Sequence, residues 1–100
     1  MKLEGKVAIV TGAGGGIGKG IVLGLAQEGA DVALVDLDPA AAHKVATEVE
    51  AVGRRALVVS IDVTNADAVR GMVTQVLAWA GQIDILVNNA GVEIIRPVFE

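Results

Sequence analysis

The glycines between Thr11 and Gly18 are the residues of this chain best suited to chemistry. In Val7-Ala-Ile-Val-Thr-Gly-Ala-Gly-Gly-Gly-Ile-Gly18, a β-branched run breaks into five glycines and resumes as an amphipathic pattern. A backbone without Cβ turns tightly and approaches a pyrophosphate closely, and the helix that follows points unpaired N–H groups and its positive dipole end at the anion. A dinucleotide is the natural ligand. Asp36 stands eighteen residues beyond Gly18, at the end of the next apolar run. A carboxylate there accepts both ribose hydroxyls of adenosine and repels a 2′-phosphate. Neither Leu37 nor Asp38 supplies a cation and the glycine loop holds no Arg or Lys, so the electrostatics favour NAD over NADP. Plainer readings stand beside these. Glycines also mark ordinary turns and tight helix packing, and the lesser reading of Asp36 is a plain strand-end turn residue.

Other reactive side chains are sparse. The sequence has no Cys and no Tyr, and His43 is its single histidine. His43 falls outside the apolar stripe of its helix and reads as a surface residue. The one serine, Ser60, falls inside a strand expected to be buried. No second His or carboxylate cluster offers metal-ligand spacing, so neither a catalytic residue nor a metal ligand is assigned. The lack of cysteine excludes disulfides and thiol chemistry and is compatible with a reducing, cytoplasmic setting.

Four short Val/Ile/Leu/Ala runs, Lys6–Thr11, Asp31–Asp36, Arg55–Ile61 and Asp84–Asn88, read as strands covered on both faces, with helices filling the gaps. The first helix is expected from Gly16 to Glu28, with Ile17, Ile21 and Leu25 inward and Gly29 at a left-handed C-terminal cap. Gly20 and Gly24 inside it suggest close approach to a strand or ligand. The second helix starts at Asp38-Pro39, turns Ala42, Val45, Val49 and Val52 inward and stops at Gly53. Thr64 and Asp67 resemble a capping box for the third, whose stripe of Ala66, Val69, Met72, Val73, Val76, Leu77 and Ala80 runs to Gly81. Trp79 reads as a partly buried residue on that helix. Right-handed crossovers place the strands in the order 3-2-1-4, and the reversal between strands 1 and 4 opens the crevice where such sheets bind ligands. The expected fold is α/β, a three-layer, doubly wound parallel sheet of the Rossmann type, in one domain spanning residues 1–100.

Three stretches in register resemble the short-chain dehydrogenases/reductases. They are Thr11-Gly12-Ala-Gly-Gly-Gly16-Ile17-Gly18, the pair Asp62-Val63 at the end of strand three, and Asn88-Asn89-Ala90-Gly91 after strand four. The resemblance implies that Gly12, Gly16, Ile17 and Gly18 surround the NAD pyrophosphate. It also implies that Asp62 hydrogen-bonds the adenine amino group with Val63 beside it, and that Asn89 and Gly91 sit near the cofactor. Read from the residues alone, Asn88 and Asn89 could instead tie strand and turn together through their amides, a role assigned here to Asn88. The family moves a hydride between NAD(H) and an alcohol or ketone, using a Ser and a Tyr-x-x-x-Lys set that these residues do not contain. On this reading the chain is the cofactor-binding portion of a longer enzyme, binding without turning over, and its complete form is a homo-oligomer.

The 53% hydrophobic and 20% charged composition suits a soluble globular domain, while a net charge of −4 without a basic cluster argues against nucleic acid or an anionic membrane as partner. No run approaches the ~20 apolar residues of a membrane span. Strand four is expected to have an open outer edge, which would make the isolated chain prone to self-association unless NAD is bound. Ile94, Ile95, Val98 and Phe99 suggest an apolar rim or subunit contact. Two other readings remain open: a stand-alone nucleotide-binding or redox-sensing module acting through a partner, and a nucleoside-cofactor methyltransferase.

Overall fold

A computed structural model describes residues 1–89 and the backbone of 93–95. Its elements are β1 (Val7–Thr11), α1 (Gly16–Gln27), β2 (Asp31–Asp36), α2 (Pro39–Ala51), β3 (Ala56–Ser60), α3 (Ala66–Ala80), β4 (Ile85–Asn88) and β5 (Glu93–Ile95). The first four strands pair in parallel in the order β3-β2-β1-β4, as the alternation of apolar runs predicts. β5 adds an antiparallel strand against β4, with Val87 opposite Ile94. The outer edge of β4 is therefore paired and not open as expected, and β5 stands at that edge of the sheet.

Because successive strand side chains point to opposite faces, the sheet feeds two separate cores. Val10, Val32 and Leu34 pack beneath α1 and α2, with Val22, Ala26, Val45 and Val49. Val7, Ile9, Ala33 and Val35 face the other way, onto Met72 and Val76 of α3. β1 is buried at every position and β2 at all four inner ones. This explains why their sequences are continuous apolar runs without alternation. β3, at the edge of the sheet, is only half-buried, and Ser60 is exposed there, contrary to expectation; its hydroxyl donates to the Leu37 carbonyl.

Helix α1 presents a different face from the one expected. Gly18, Val22 and Ala26 are buried, Ile21 and Leu25 are half-buried, and Ile17 is 68% exposed. Gly20 and Gly24 have no chain atom within reach of an added Cβ, so they do not serve close approach to a strand. On α2, Ala46 joins Ala42, Val45 and Val49 in the core, whereas Val52 lies at the C-cap and is exposed. The start of α3 is capped by Asn65, whose side chain accepts from the Ala68 N–H, and not by a Thr64–Asp67 box; Asp67 pairs with Arg70 instead. Ala66 is exposed. The helix ends at Gly81, which is left-handed with its N–H on the Leu77 carbonyl. Half-buried Trp79 lies under the Arg55 guanidinium at 4.7 Å, and Arg55 also pairs with Asp31.

The end of the sheet opposite the glycines is tied by Asp84. Its carboxylate accepts the Val7 N–H at 2.8 Å and the Gln82 amide at 2.6 Å, and the same amide donates to the Gly5 carbonyl. This fastens β1 to the start of β4 across 77 residues of chain.

Candidate functional site

At the C-terminal ends of the strands, α1 leaves β1 toward one face while α3 lies on the other. The switch point between β1 and β4 opens a cleft of about 250 Å³, lined by Thr11, Gly12, Val35, Asp36, Leu37, Ile61, Val63 and Asn89. The glycine loop enters its lining through Gly12. Gly12 has a φ of +64°, a left-handed conformation that side chains disfavour. Gly18 lies so close to the Gly12 carbonyl that a Cβ would come within 1.9 Å of its oxygen. The first turn of α1 is thereby pressed onto the end of β1, which is why a glycine and not a larger apolar residue points inward there.

The N-terminus of α1 carries no cap. Gly15 has no side chain to offer, and no acid stands in the first turn. In contrast, α2 and α3 are capped by Asp38 and Asn65. A Cβ at Gly16 would meet nothing within 4 Å. The first-turn donors of α1 thus have no side-chain partner and the space beside Gly16 is open, the arrangement in which a helix start receives an anion. Lys19, the nearest cation of α1, is paired with Glu48 on α2 at 3.3 Å.

Asp36, at the end of β2, also lines the cleft and is bonded directly to the glycine loop. Its Oδ2 accepts the Gly14 N–H at 2.8 Å and its Oδ1 accepts the Asp38 N–H at 2.9 Å. Leu37 beside it is 69% exposed and Val63 is 42% exposed, so two bare apolar side chains flank the same end of the cleft. Asp62 is exposed. Its Oδ1 accepts both the Thr64 hydroxyl at 2.7 Å and the Thr64 N–H at 2.9 Å, and these bonds hold its carboxyl below the ordinary carboxylate value. It is an anion and an acceptor at neutral pH.

The end of β4 is bound to the end of β1 through Thr11. The Thr11 hydroxyl accepts the Asn89 N–H at 3.1 Å and approaches Asn88 Oδ1 at 3.3 Å. The Asn89 side-chain amide donates to the Gly12 carbonyl at 3.3 Å. Asn88 thus ties strand to strand, while Asn89 both lines the cleft and braces the glycine loop.

Of the residues singled out from sequence, Gly12, Asp36, Val63 and Asn89 line the cleft together. Gly16, Ile17 and Gly18 form the start of α1 beside it, and Asp62 precedes Val63 without itself lining the cleft. Gly91 lies outside the described residues, as do the side chains of Ile94, Ile95, Val98 and Phe99. Thr11, Leu37 and Thr64 went unassigned to the site. The signal for Thr64 was its spacing from Asp62, since Asp-x-Thr is the pattern of a local side-chain-to-backbone turn. His43 is exposed on α2, and among the described residues no three His, Asp or Glu side chains converge as a metal would require. No helix of the described residues is long and apolar enough to cross a membrane.

Comparison with known proteins places this geometry. Residues 6–100 match the family described as short chain dehydrogenase. A hydroxynaphthalene reductase of Aspergillus fumigatus is 39% identical over all of this chain and 37% of its own length. The crystal structure of an NAD+-bound xylitol dehydrogenase superimposes with a TM-score of 0.84 at 43% identity, covering 86% of this chain and 33% of that one. A metagenomic short-chain oxidoreductase in complex with NADP gives a TM-score of 0.82 at 38% identity, over 86% of this chain and 39% of its own. The chain thus spans little more than a third of the length of the relatives it matches.

Proposed function

The chain belongs to the short-chain dehydrogenase family, and from that premise we propose that residues 1–100 form the NAD-binding domain of an oxidoreductase acting on a small alcohol or ketone. The observation that carries this reading is the uncapped start of α1, with open space at Gly16, beside a cleft that the Asp36 carboxylate lines. Backbone N–H groups of the glycine loop receive the pyrophosphate. Asp36 receives the adenosine ribose hydroxyls, and its charge, with no cation at Leu37 or Asp38, disfavours a 2′-phosphate. Leu37 and Val63 supply apolar contact for the adenine, and Asp62, kept anionic by Thr64, accepts from its amino group. Asn89 is assigned to the second ribose, and Gly91 to the cofactor by the family motif alone. Bound NAD would supply the carbon that gives or takes a hydride.

No tyrosine is present to move a proton at the substrate oxygen, and Ser60 is engaged with Leu37 at the edge strand. Residues 1–100 therefore bind and orient, and proton transfer is assigned to groups outside them. A general acid or base contributes about 10²–10⁴-fold, so these residues alone turn over poorly even with NAD bound. The complete protein is read as a homo-oligomer of the cytoplasm.

Titration calorimetry with NAD, NADP and S-adenosylmethionine tests this proposal. NAD should bind at least about tenfold more tightly than NADP, the equivalent of one lost favourable contact plus charge repulsion. A preference for S-adenosylmethionine would move the protein to methyl transfer. Tight NAD binding by a full-length protein that reduces or oxidises no carbonyl or alcohol would leave a nucleotide-sensing module.

A further inference from the structure

We infer that Asp36 has a second role: its carboxylate holds the glycine loop in its anion-binding shape, making it a positioning residue for the pyrophosphate as well as the partner of the ribose. The inference rests on the reading of this cleft as a dinucleotide site. One carboxylate is shared by two segments, Oδ2 taking the Gly14 N–H from the glycine loop and Oδ1 taking the Asp38 N–H from the turn into α2. Both bonds are charge-assisted, which makes them roughly twice as strong as neutral ones. Apart from the first helical bond of α1, in which the Gly15 carbonyl accepts the Lys19 N–H at 2.6 Å, the loop's other ties are longer and neutral. Ala13 N–H reaches the Val35 carbonyl at 3.3 Å, Gly15 N–H reaches the Gly12 carbonyl at 3.4 Å, and Asn89 reaches Gly12 at 3.3 Å.

Gly14 is also seated against α2. A Cβ on it would lie 2.7 Å from the Ala41 Cβ and 3.0 Å from the Ala42 nitrogen. That first turn of α2 is fixed in turn by Asp38, which accepts from the Ala40 and Ala41 N–H groups. The middle of the loop is thus clamped between Asp36 and a capped helix. Consecutive glycines have more conformational freedom to lose than any other residues, so a strong bond at their centre removes ordering that a ligand would otherwise have to impose. Each carboxylate oxygen has two lone pairs, so holding Gly14 does not prevent acceptance of a ribose hydroxyl.

The two roles separate by the sign of an effect. If Asp36 served the ribose alone, removing its charge beside a phosphate loop would leave an anion lacking ribose hydroxyls bound equally well or more tightly. If it anchors the loop, the same ligand binds more weakly. The experiment is calorimetry on the full-length protein and on Asp36→Ala and Asp36→Asn, with ADP and 2′,3′-dideoxy-ADP. We expect Asp36→Ala to bind 2′,3′-dideoxy-ADP about tenfold more weakly than the wild type does, as for loss of one charged hydrogen bond. Asp36→Asn, which keeps one acceptor oxygen, should fall between. Equal or tighter binding of that ligand by Asp36→Ala overturns the inference.

Amide exchange at Gly14 in the unliganded wild type is independent of any variant's folding. Protection of at least about tenfold over the free-peptide rate is expected for a bonded N–H, and exchange at the free-peptide rate overturns the inference. Failure of the wild type to bind ADP would remove the dinucleotide reading, while the exchange rate would still decide whether Asp36 holds the loop.

Discussion

Gly16 and Gly18 sit two residues apart at the start of α1 and should respond to the same added methyl group in opposite ways. Gly18→Ala forces a Cβ against the Gly12 carbonyl, where 1.9 Å of separation leaves backbone as the only thing that can move. We expect a loss of about 3 kcal/mol in urea unfolding, at the upper end for overpacking, together with loss of nucleotide binding. Gly16→Ala meets nothing in the chain and replaces a glycine in a helix. Its stability should hold or rise by up to about 1 kcal/mol while NAD affinity falls, because the space it fills is the ligand's. Asp62 offers a titration test at the same scale. Its folded-state value is depressed by Thr64, so its contribution to stability is present above the ordinary carboxylate value and is lost as pH falls through the depressed one. Thr64→Ala should return the Asp62 carboxyl upward toward its ordinary value, as read by carbon-detected NMR titration, and should move that loss to higher pH.

The elements show where an anchor overrides hydrophobic counting. Asn65→Ala should cost about 1 kcal/mol of unfolding free energy and Asp67→Ala much less, because the Asn65 side chain holds the Ala68 N–H while Asp67 pairs only with exposed Arg70. Equal losses would restore the Thr64–Asp67 box. The four parallel strands and their order were legible because burial on both faces writes itself as unbroken Val, Ile and Leu runs, and their ends fell within a residue of expectation. Edge strand β3 is the exception, since a half-covered strand can carry an exposed Ser60 at its end. The inward face of α1 was misread for a physical reason. Hydrophobicity gives no weight to Gly18, yet its contact with Gly12 sets the rotation of the helix and turns Ile17 outward. β5 escaped notice because three residues are too few for a periodic signal, and its pairing is fixed by the neighbouring strand. That Gly12, Asp36 and Asn89 would come together as a candidate site was legible; the sharing of Asp36 between two segments was not, because no spacing encodes which backbone N–H a carboxylate reaches.

At the scale of the whole molecule, the cleft draws its walls from β1, β2, the loop after β3 and the end of β4, so a ligand in it should stabilise the assembled sheet as a unit. If NAD is the ligand, a hundredfold excess over Kd should add about 2.7 kcal/mol to the unfolding free energy, with NADP adding less at the same concentration. A thermal melt with each nucleotide checks this, and equal shifts would remove Asp36 from the account of specificity. The Asp84 tie also bears on time. It joins Val7 to a residue 77 positions later, so pairing β1 with β4 closes one of the longest loops the chain contains, and contacts of such separation form late in folding. We therefore expect the crevice between those two strands to form late, and on a ribosome it cannot form until the residues around Asn89 have emerged. NAD should accordingly slow unfolding while leaving the refolding rate unchanged in stopped-flow mixing, holding a finished protein together without helping to make one.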